Sequence, residues 1–451
     1  MNWKIDMKSF FFGIFAFALI SFGFTVSFSQ KGGADDVAAQ AASVSEFEVN
    51  GLKVLLKKRP SAPTFAAGLF FRGGARNITA ETAGIENLTL NAAIEAGRKF
   101  PKREVRRILA SGGSSLSAAA GIDYSAVSFA GTRENFAGIW ELFTDVITNP
   151  AFAAEDVERV RQQIIAGLRE EEISPDGALQ SFQDRVVYAG HPYANSVTGT
   201  IQSVSGFKAA DLRVYHTSLM QTSRMLLVVV GDVSADELKS SVEKSFGGLP
   251  RGNYVEKPLP LLDFGKPTVD VTPRSIQINY VQGAFAAPSL SNPDYFAMRV
   301  AINILQQLVF EEVRVRRQLS YAPSASLNNY AANTGTIYVT SGDANQSVSV
   351  MLEQVKLLRT ALIREEFIAG LAGQFLTQYF IGQETNAAQA GELARYELIG
   401  GGWRKSFEFM DRIREVRPKD VQAVSDKYMR NLRFVVVGNP QAVDKNIFLQ
   451  D

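Results

Sequence analysis

Val228-Val229-Val230-Gly231 closes a segment that opens at Asp211-Leu212, and Val435-Val436-Val437-Gly438 closes one that opens at Asp420-Val421. The two segments match at an offset of about 208 residues, the second being shorter by two. In the first copy, residues 209–220 have helical spacing and residues 225–230 form a continuous apolar run ending at Gly231-Asp232, the pattern of a helix feeding a buried strand. The same unit appearing twice implies duplication into two homologous halves of roughly two hundred residues. The stretch from Pro250 to Pro267, with Pro258, Pro260 and Gly265 inside it, has linker composition. This divides the folded part into residues 46–255, a linker at 256–267, and residues 268–451.

Outward from the first copy, strands and helices alternate. Phe47 and Val49 precede Asn50-Gly51, and Leu52, Val54 and Leu56 follow, which predicts a β-hairpin around a type I′ turn. The apolar run 65–71 predicts a strand ending at Arg72-Gly73-Gly74-Ala75-Arg76. Residues 82–98 carry Ile85, Leu88, Ala92 and Ala93 at helical spacing. Further helices are predicted at 102–110, 135–147 and 154–172, and strands at 115–120 and 124–132. The class is mixed α and β.

Composition excludes several functions. Of 451 residues, 46% are hydrophobic and 21% charged, enough apolar material for more than one core. Lys and Arg total 47 against 46 Asp and Glu, so no net field selects nucleic acid or acidic partners. There is no cysteine, which removes disulfides, thiolate nucleophiles and Cys-containing metal sites. His191 and His216 are the only histidines, and any imidazole site must draw on them.

Lys4 and Lys8 precede an uncharged, Phe-rich stretch from 9 to 29, read as an export signal, with Ser27-Phe28-Ser29 offering a cleavage site before Gln30. The stretch is longer than a usual signal core, so an uncleaved membrane anchor is the competing reading. Residues 30–45 are small and polar, a tether. The expected location is extracytoplasmic, in the periplasm.

The segment Phe71–Arg76 followed by Thr82-Ala83-Gly84-Ile85-Glu86-Asn87-Leu88-Thr89-Leu90-Asn91 resembles the pitrilysin/insulinase-type inverted zinc peptidases, which carry H-x-x-E-H on this helix. The chemistry needs two imidazoles four residues apart on one helical face, with a carboxylate to deprotonate the metal-bound water. Here Asn87, Leu90 and Asn91 hold those places. The family's third ligand, a Glu, aligns with Gly167, or with Leu168 if the register slips by one. Glu170, Glu171 and Glu172 lie nearby, but carboxylates without imidazoles do not make a zinc hydrolase site and read as a solvated helix end. His191-Pro192-Tyr193 matches a family loop, and both histidines read as structural or surface residues. No metal is expected in this chain.

The second half resembles the family in another element. Arg314-Val315-Arg316-Arg317-Gln318-Leu319-Ser320-Tyr321 is similar to the R-x-x-x-x-x-(G/S)-Y element, whose Arg and Tyr reach toward the scissile carbonyl, and Arg314 and Tyr321 match. A guanidinium and a phenol can donate hydrogen bonds to a developing oxyanion without a metal. The alternative is a charge on a basic helix and a Tyr with its ring in the core. Residues 305–310 lack the Gly-rich turn many relatives have, which bears on the pair's aim. The strand at 115–120 corresponds to an exposed edge that pairs with substrate backbone in catalytic relatives, making Ser117 and Ala118 candidate substrate contacts. The alternative there is an ordinary buried strand.

The resemblance spans residues 47–437. It implies an α+β fold of two homologous halves, each a mixed sheet covered by helices, packed as a clam shell around a chamber. It further implies the non-catalytic subunit of a heterodimeric zinc metalloendopeptidase acting on peptides or unfolded segments, with zinc in a homologous partner subunit. A metal-free peptide-binding or assembly protein of the same fold is the rival reading. An autonomous peptidase would need ligands that two distant histidines do not supply.

Overall fold

The computed structural model describes residues 39–450. The export segment and most of the tether lie outside the described residues. The first half builds a six-stranded sheet from β1 (Val44–Val49), β2 (Leu52–Lys58), β3 (Thr64–Arg72), β4 (Ser115–Ala119), β5 (Tyr124–Thr132) and β6 (Met225–Gly231), in the order β1-β2-β6-β3-β5-β4. Its main helices are α1 (Ile85–Ala93), α2 (Phe136–Thr148), α3 (Ala154–Ile173), α4 (Pro175–Val187) and α5 (Ala209–Leu219). The second half builds a five-stranded sheet from β7 (Thr268–Pro273), β8 (Asn279–Ala286), β9 (Ser324–Leu327), β10 (Thr334–Ser341) and β11 (Arg433–Gly438), in the order β7-β11-β8-β10-β9. Its main helices are α6 (Tyr295–Val309), α7 (Ala344–Thr360), α8 (Glu365–Gly382), α9 (Asn386–Ile399) and α10 (Pro418–Tyr428).

The duplication is visible in the topology. β2 is parallel to β6, as β7 is to β11, and every other pairing in both sheets is antiparallel. Without β1, the two sheets therefore share one order and one set of directions. The Val-Val-Val-Gly strands β6 and β11 occupy the same place in each. The helices that feed them are capped alike. The Asp211 carboxylate accepts the Lys208 N–H at 2.8 Å, and the Asp420 carboxylate accepts the Arg417 N–H at 2.9 Å. Both helices end at a Met, φ/ψ −78°/54° at Met220 and −80°/54° at Met429.

Each sheet is covered on one face by helices of its own half. In the first, Leu52, Val54, Phe65, Leu69, Phe129 and Val229 pack against Phe136, Trp140 and Phe143 of α2. The opposite face is covered by a helix from the other half. α9 lies on β3 and β6, with Leu393 and Ala394 in one core with Phe70, Leu226 and Val228. Reciprocally, α4 lies on β11 and β8, with Leu179 against Val435 and Val437. The halves thus exchange one helix each, and a continuous core runs through both.

Asn50 and Gly51 have φ of 49° and 87°, the left-handed pair the hairpin turn requires. The helix expected over 82–98 is shorter. It starts after Gly84, at φ 82°, and stops at Ala93. The reason is tertiary: the Asp145 carboxylate of α2 accepts the N–H groups of Lys99 and Phe100 at 2.8 and 3.1 Å, pulling the chain out of the helix. An added Cβ at Gly97 would collide with that same carboxylate.

Candidate functional site

α1 carries the positions where the family binds zinc. Asn87 and Asn91 are half-buried neighbours on one helical face, and the Asn91 Nδ2 donates to Asn87 Oδ1 at 3.0 Å and to the Asn87 carbonyl at 2.9 Å. Leu90 is fully buried in the core with Leu69 and Phe71. Gly167, on α3, is exposed, with open space where a side chain would project. Two amides bonded to one another, an aliphatic group and a glycine do not fit zinc. Among the described residues, no group of three His, Cys, Asp or Glu side chains is placed to hold a metal ion.

Both histidines are engaged in packing. His191 accepts the Tyr193 N–H through Nδ1 at 3.1 Å and sits edge-on to Tyr193. His216 Nε2 meets the Ile147 carbonyl at 2.7 Å, with its ring against Phe152. Burial lowers both imidazoles below their ordinary pKa.

Arg314 and Tyr321 come together. Residues 305–309 form no Gly-rich turn but the last turns of α6, which continues into a widened, π-helical stretch at Phe310–Arg316. This widening is of the kind often found at functional positions. The Arg314 guanidinium lies 4.2 Å from the Tyr321 ring centre and 4.9 Å from that of Phe310. Tyr321 is 79% exposed, so its ring is outside the core. The stacked pair restrains a guanidinium beside an exposed phenol, two donors available to an incoming carbonyl.

β4 is the last strand of its sheet and pairs only with β5, with Ser117 opposite Ser128 and Ala118 opposite Val127. Ser115, Ser117 and Ala119 are exposed, whereas Leu116 and Ala118 lean on the core. The strand is therefore an edge with an accessible face, the geometry to which an extended peptide can add.

Two buried acids, missed in the sequence, hold this region in place. Glu86, adjacent to Asn87, accepts from the Tyr215 hydroxyl at 2.6 Å and from Arg224 at 3.0 Å, while Arg224 also donates to the Arg72 carbonyl at 3.0 Å. This ties α1 to α5 and to the end of β3. Burial and the Glu86 charge push the Tyr215 phenol up, so it stays a donor. Asp123 accepts from Arg76 at 3.2 Å, from the Tyr193 hydroxyl, and from the Ala331 N–H at 2.9 Å. Tyr193 in turn accepts the Ala332 N–H at 3.2 Å. The Arg76 turn and the His191-Pro192-Tyr193 loop, noticed only as family-like segments, thus form a clamp onto the second half. No local signal distinguishes Glu86 or Asp123 from a surface carboxylate.

Two family models match successive parts of the chain. Residues 53–201 match the insulinase (peptidase family M16) model and residues 206–370 match the peptidase M16 inactive domain. The chain belongs to the insulinase-like M16 family. An uncharacterized zinc protease of Mycobacterium leprae is 22% identical over 438 residues, covering 92% of this chain and 96% of that one. Mitochondrial-processing peptidase subunit beta of Saccharomyces cerevisiae is 19% identical over 429 residues, covering 89% and 92%. Cytochrome b-c1 complex subunit 1 of Bos taurus is 25% identical over 270 residues, covering 58% and 56%. Among solved structures, a Pseudomonas fluorescens peptidase M16 inactive domain aligns with TM-score 0.79 at 19% identity, over 88% of this chain and 98% of that one. This M16 chain is a peptidase-like, non-catalytic member, with Asn87, Leu90 and Asn91 where H-x-x-E-H would stand.

Proposed function

We propose that this chain is the Arg/Tyr-bearing, non-catalytic subunit of a heterodimeric zinc metalloendopeptidase that acts on peptides or unfolded segments outside the cytoplasm. The observation that carries the reading is the stacked Arg314 and Tyr321, exposed at 79% at the phenol, in a chain whose zinc positions hold no ligands. A homologous partner subunit would bring the zinc and its activated water, and with this chain it would complete the clam-shell chamber. Arg314 and Tyr321 would donate to the oxyanion formed at the scissile carbonyl. Ser117 and Ala118 on the β4 edge would pair with the backbone of an extended substrate. Residues 9–29 would export the chain to the periplasm or anchor it in the membrane. Nucleic acid has no part in this reading.

Two relatives, a processing-peptidase subunit and a cytochrome b-c1 complex subunit, support a chain that works beside other subunits. The second relative also favours the rival, an assembly protein whose chamber serves no chemistry. Copurification followed by a peptidase assay separates them. With a zinc-bearing relative as partner, Arg314→Ala and Tyr321→Phe are each expected to lower kcat by about 100–1,000-fold with little change in KM, the effect of removing an oxyanion donor. Unchanged kcat in both variants leaves only the structural role. Chelator-sensitive cleavage by the isolated chain would overturn the non-catalytic reading itself.

A further inference from the structure

Between α1 and β4 runs Arg98-Lys99-Phe100-Pro101-Lys102-Arg103-Glu104-Val105-Arg106-Arg107, six basic residues against one acidic in a chain whose totals are 47 and 46. A helix follows Pro101 over Lys102–Ser111, and its two sides differ in fate. Val105, Ile108 and Leu109 pack into the first core together with Leu116 and Ala118 of β4. Arg103, Arg106 and Arg107 stand at i, i+3 and i+4 away from that core, and all three are exposed. Three residues, Gly112 to Ser114, join the helix to β4, and the Ser114 N–H donates to the Leu109 carbonyl at 3.0 Å. The helix thus folds back along the edge strand and carries its arginines alongside.

Part of this charge is neutralised locally. Lys99 pairs with Glu141, Lys102 with Asp156, and Arg107 with Glu104 at 2.9 Å. Arg98, Arg103 and Arg106 are exposed and form no ion pair among the described residues. Their guanidinium groups are always charged and shaped to take a carboxylate through two parallel N–H···O bonds. The matching place in the second half is the stretch before β9, where Arg314, Arg316 and Arg317 stand. There the Ala325 N–H of the edge strand already donates to the Gln306 side chain at 2.6 Å, and Arg316 and Arg317 pair with Glu311 and Glu312. In the first half the unpaired arginines flank an edge with an accessible face.

We propose that the face formed by Arg98, Arg103 and Arg106 recognises acidic polypeptide, binding Asp or Glu side chains that flank a segment held on the β4 edge. The placement on β4 rests on the peptide-binding reading above. Polypeptide is favoured over nucleic acid because the arginines adjoin a strand edge, which pairs with backbone amides that nucleic acid lacks, and because three guanidinium groups make a short patch rather than an extended basic surface.

Fluorescence anisotropy of the purified full chain, with three labelled unstructured peptides of one length, tests the proposal. In each peptide a Gly/Ser/Val segment is flanked by Glu, by Gln or by Lys. At low ionic strength the Glu peptide is expected to bind about tenfold more tightly than the Gln peptide, from a few exposed ion pairs, and added salt is expected to shrink that margin. Arg103→Glu with Arg106→Glu is expected to transfer the preference to the Lys peptide, and Arg103→Gln with Arg106→Gln to abolish it, with little change in thermal midpoint because both side chains are exposed. Arg364→Glu with Lys239→Glu, the same charge change at exposed positions elsewhere, is expected to leave the preference intact. Because the chain has no cysteine, Ser117→Cys accepts a single benzophenone label, which is expected to crosslink the bound Glu peptide, whereas a label at Lys239→Cys is not. Binding of none of the peptides, equal binding of all three, a preference that the Arg103 and Arg106 variants keep or the control pair loses, or displacement of the Glu peptide by oligothymidylate as readily as by unlabelled Glu peptide would overturn the assignment. A Glu preference without crosslinking from Ser117→Cys would refute the placement on β4 and leave the arginine site standing. Equal crosslinking of all three peptides would do the reverse.

Discussion

Replacing Asp123 with Ala should show how firmly the two halves are joined. Asp123 is 3% exposed and answers three donors at once: the Arg76 guanidinium, the Tyr193 hydroxyl and the Ala331 N–H. Without it, the mostly buried Arg76 side chain keeps one carboxylate, Glu256, 3.6 Å away and more exposed, and the Lys257 carbonyl at 3.4 Å. Burial works against the Arg76 charge, and Glu256 and Asp123 together hold its pKa above the ordinary value. Breaking one side of a buried ion pair costs about 3–5 kcal/mol because the other charge is stranded. The orphaned Ala331 N–H adds about 1–3 kcal/mol where water does not reach it. A loss of about 4–8 kcal/mol is therefore expected, a large part of the ~5–15 kcal/mol that stabilises a typical domain.

The assay is urea unfolding at pH 7 of the full chain, its Arg76→Ala and Asp123→Ala variants, and the double variant. The double variant should lose clearly less than the sum of the two singles, since removing both charges leaves neither stranded. A single-variant loss below about 1 kcal/mol, or strictly additive losses, would refute the claim that this clamp holds the halves together.

Asn386→Ala should cost about 1–3 kcal/mol, because this α9 residue donates to the Thr64 carbonyl at 2.8 Å and accepts from Arg59 at 2.6 Å, fixing the exchanged helix on the first sheet; chemical denaturation measures it. Burial chiefly, with Glu171 adding to it, pushes the Asp184 carboxyl from 3.8 up to about 6. Its folded pKa thus exceeds its unfolded one, so it destabilises the fold as pH rises from about 4 to about 6, by up to about 3 kcal/mol above that window. Asp184→Asn should remove that slope, stabilising the chain at pH 7 but not at pH 4, as read from denaturant midpoints at the two pH values. Finally, Asn87→His combined with Asn91→His and Gly167→Glu should create measurable zinc affinity, since the two amide side chains already meet at 3.0 Å and Gly167 has room for a side chain. Zinc titration showing no gain over the parent chain would mean that α1 and α3 are not disposed as a ligand set.

What could be read in advance depended on how local its cause was. The Val-Val-Val-Gly strands and their Asp-capped helices were legible because one short segment carries the whole signal, and the parallel pairings of β6 and β11 follow from their shared place in each half. The hairpin at Asn50-Gly51 was legible for the same reason. The early end of α1 was not, because Asp145 on another helix causes it. Nor was the exchange of α4 and α9, since either amphipathic helix would satisfy a sheet of its own half equally well. Arg314 and Tyr321 could be named by spacing, but their approach to one another depends on the π-helical stretch at Phe310–Arg316, which no local pattern announces. Glu86 and Asp123 were invisible because burial, which gives each its role, is a property of the assembled fold.

The fate of the zinc helix explains how the fold tolerates losing its metal. α1 is held by apolar packing of Leu88, Leu90, Ala92 and Ala93 and by the Glu86–Arg224 pair, and none of these interactions involves a metal ligand. A structural zinc site supplies folding energy that vanishes with the metal, whereas here Leu90 puts apolar surface in the core at the position where catalysis would demand a carboxylate. The contacts that hold α1 therefore draw on no metal. In the second half, Arg314 leans on Phe310 and Tyr321 and leaves the phenol in solvent, an arrangement that contributes little to the core and exposes a large aromatic ring. Stability accounts for α1 as it stands but not for the exposed pair. On the reading proposed above, the carbonyl it would touch accounts for the pair, and this chain's contribution to catalysis would lie in its second half.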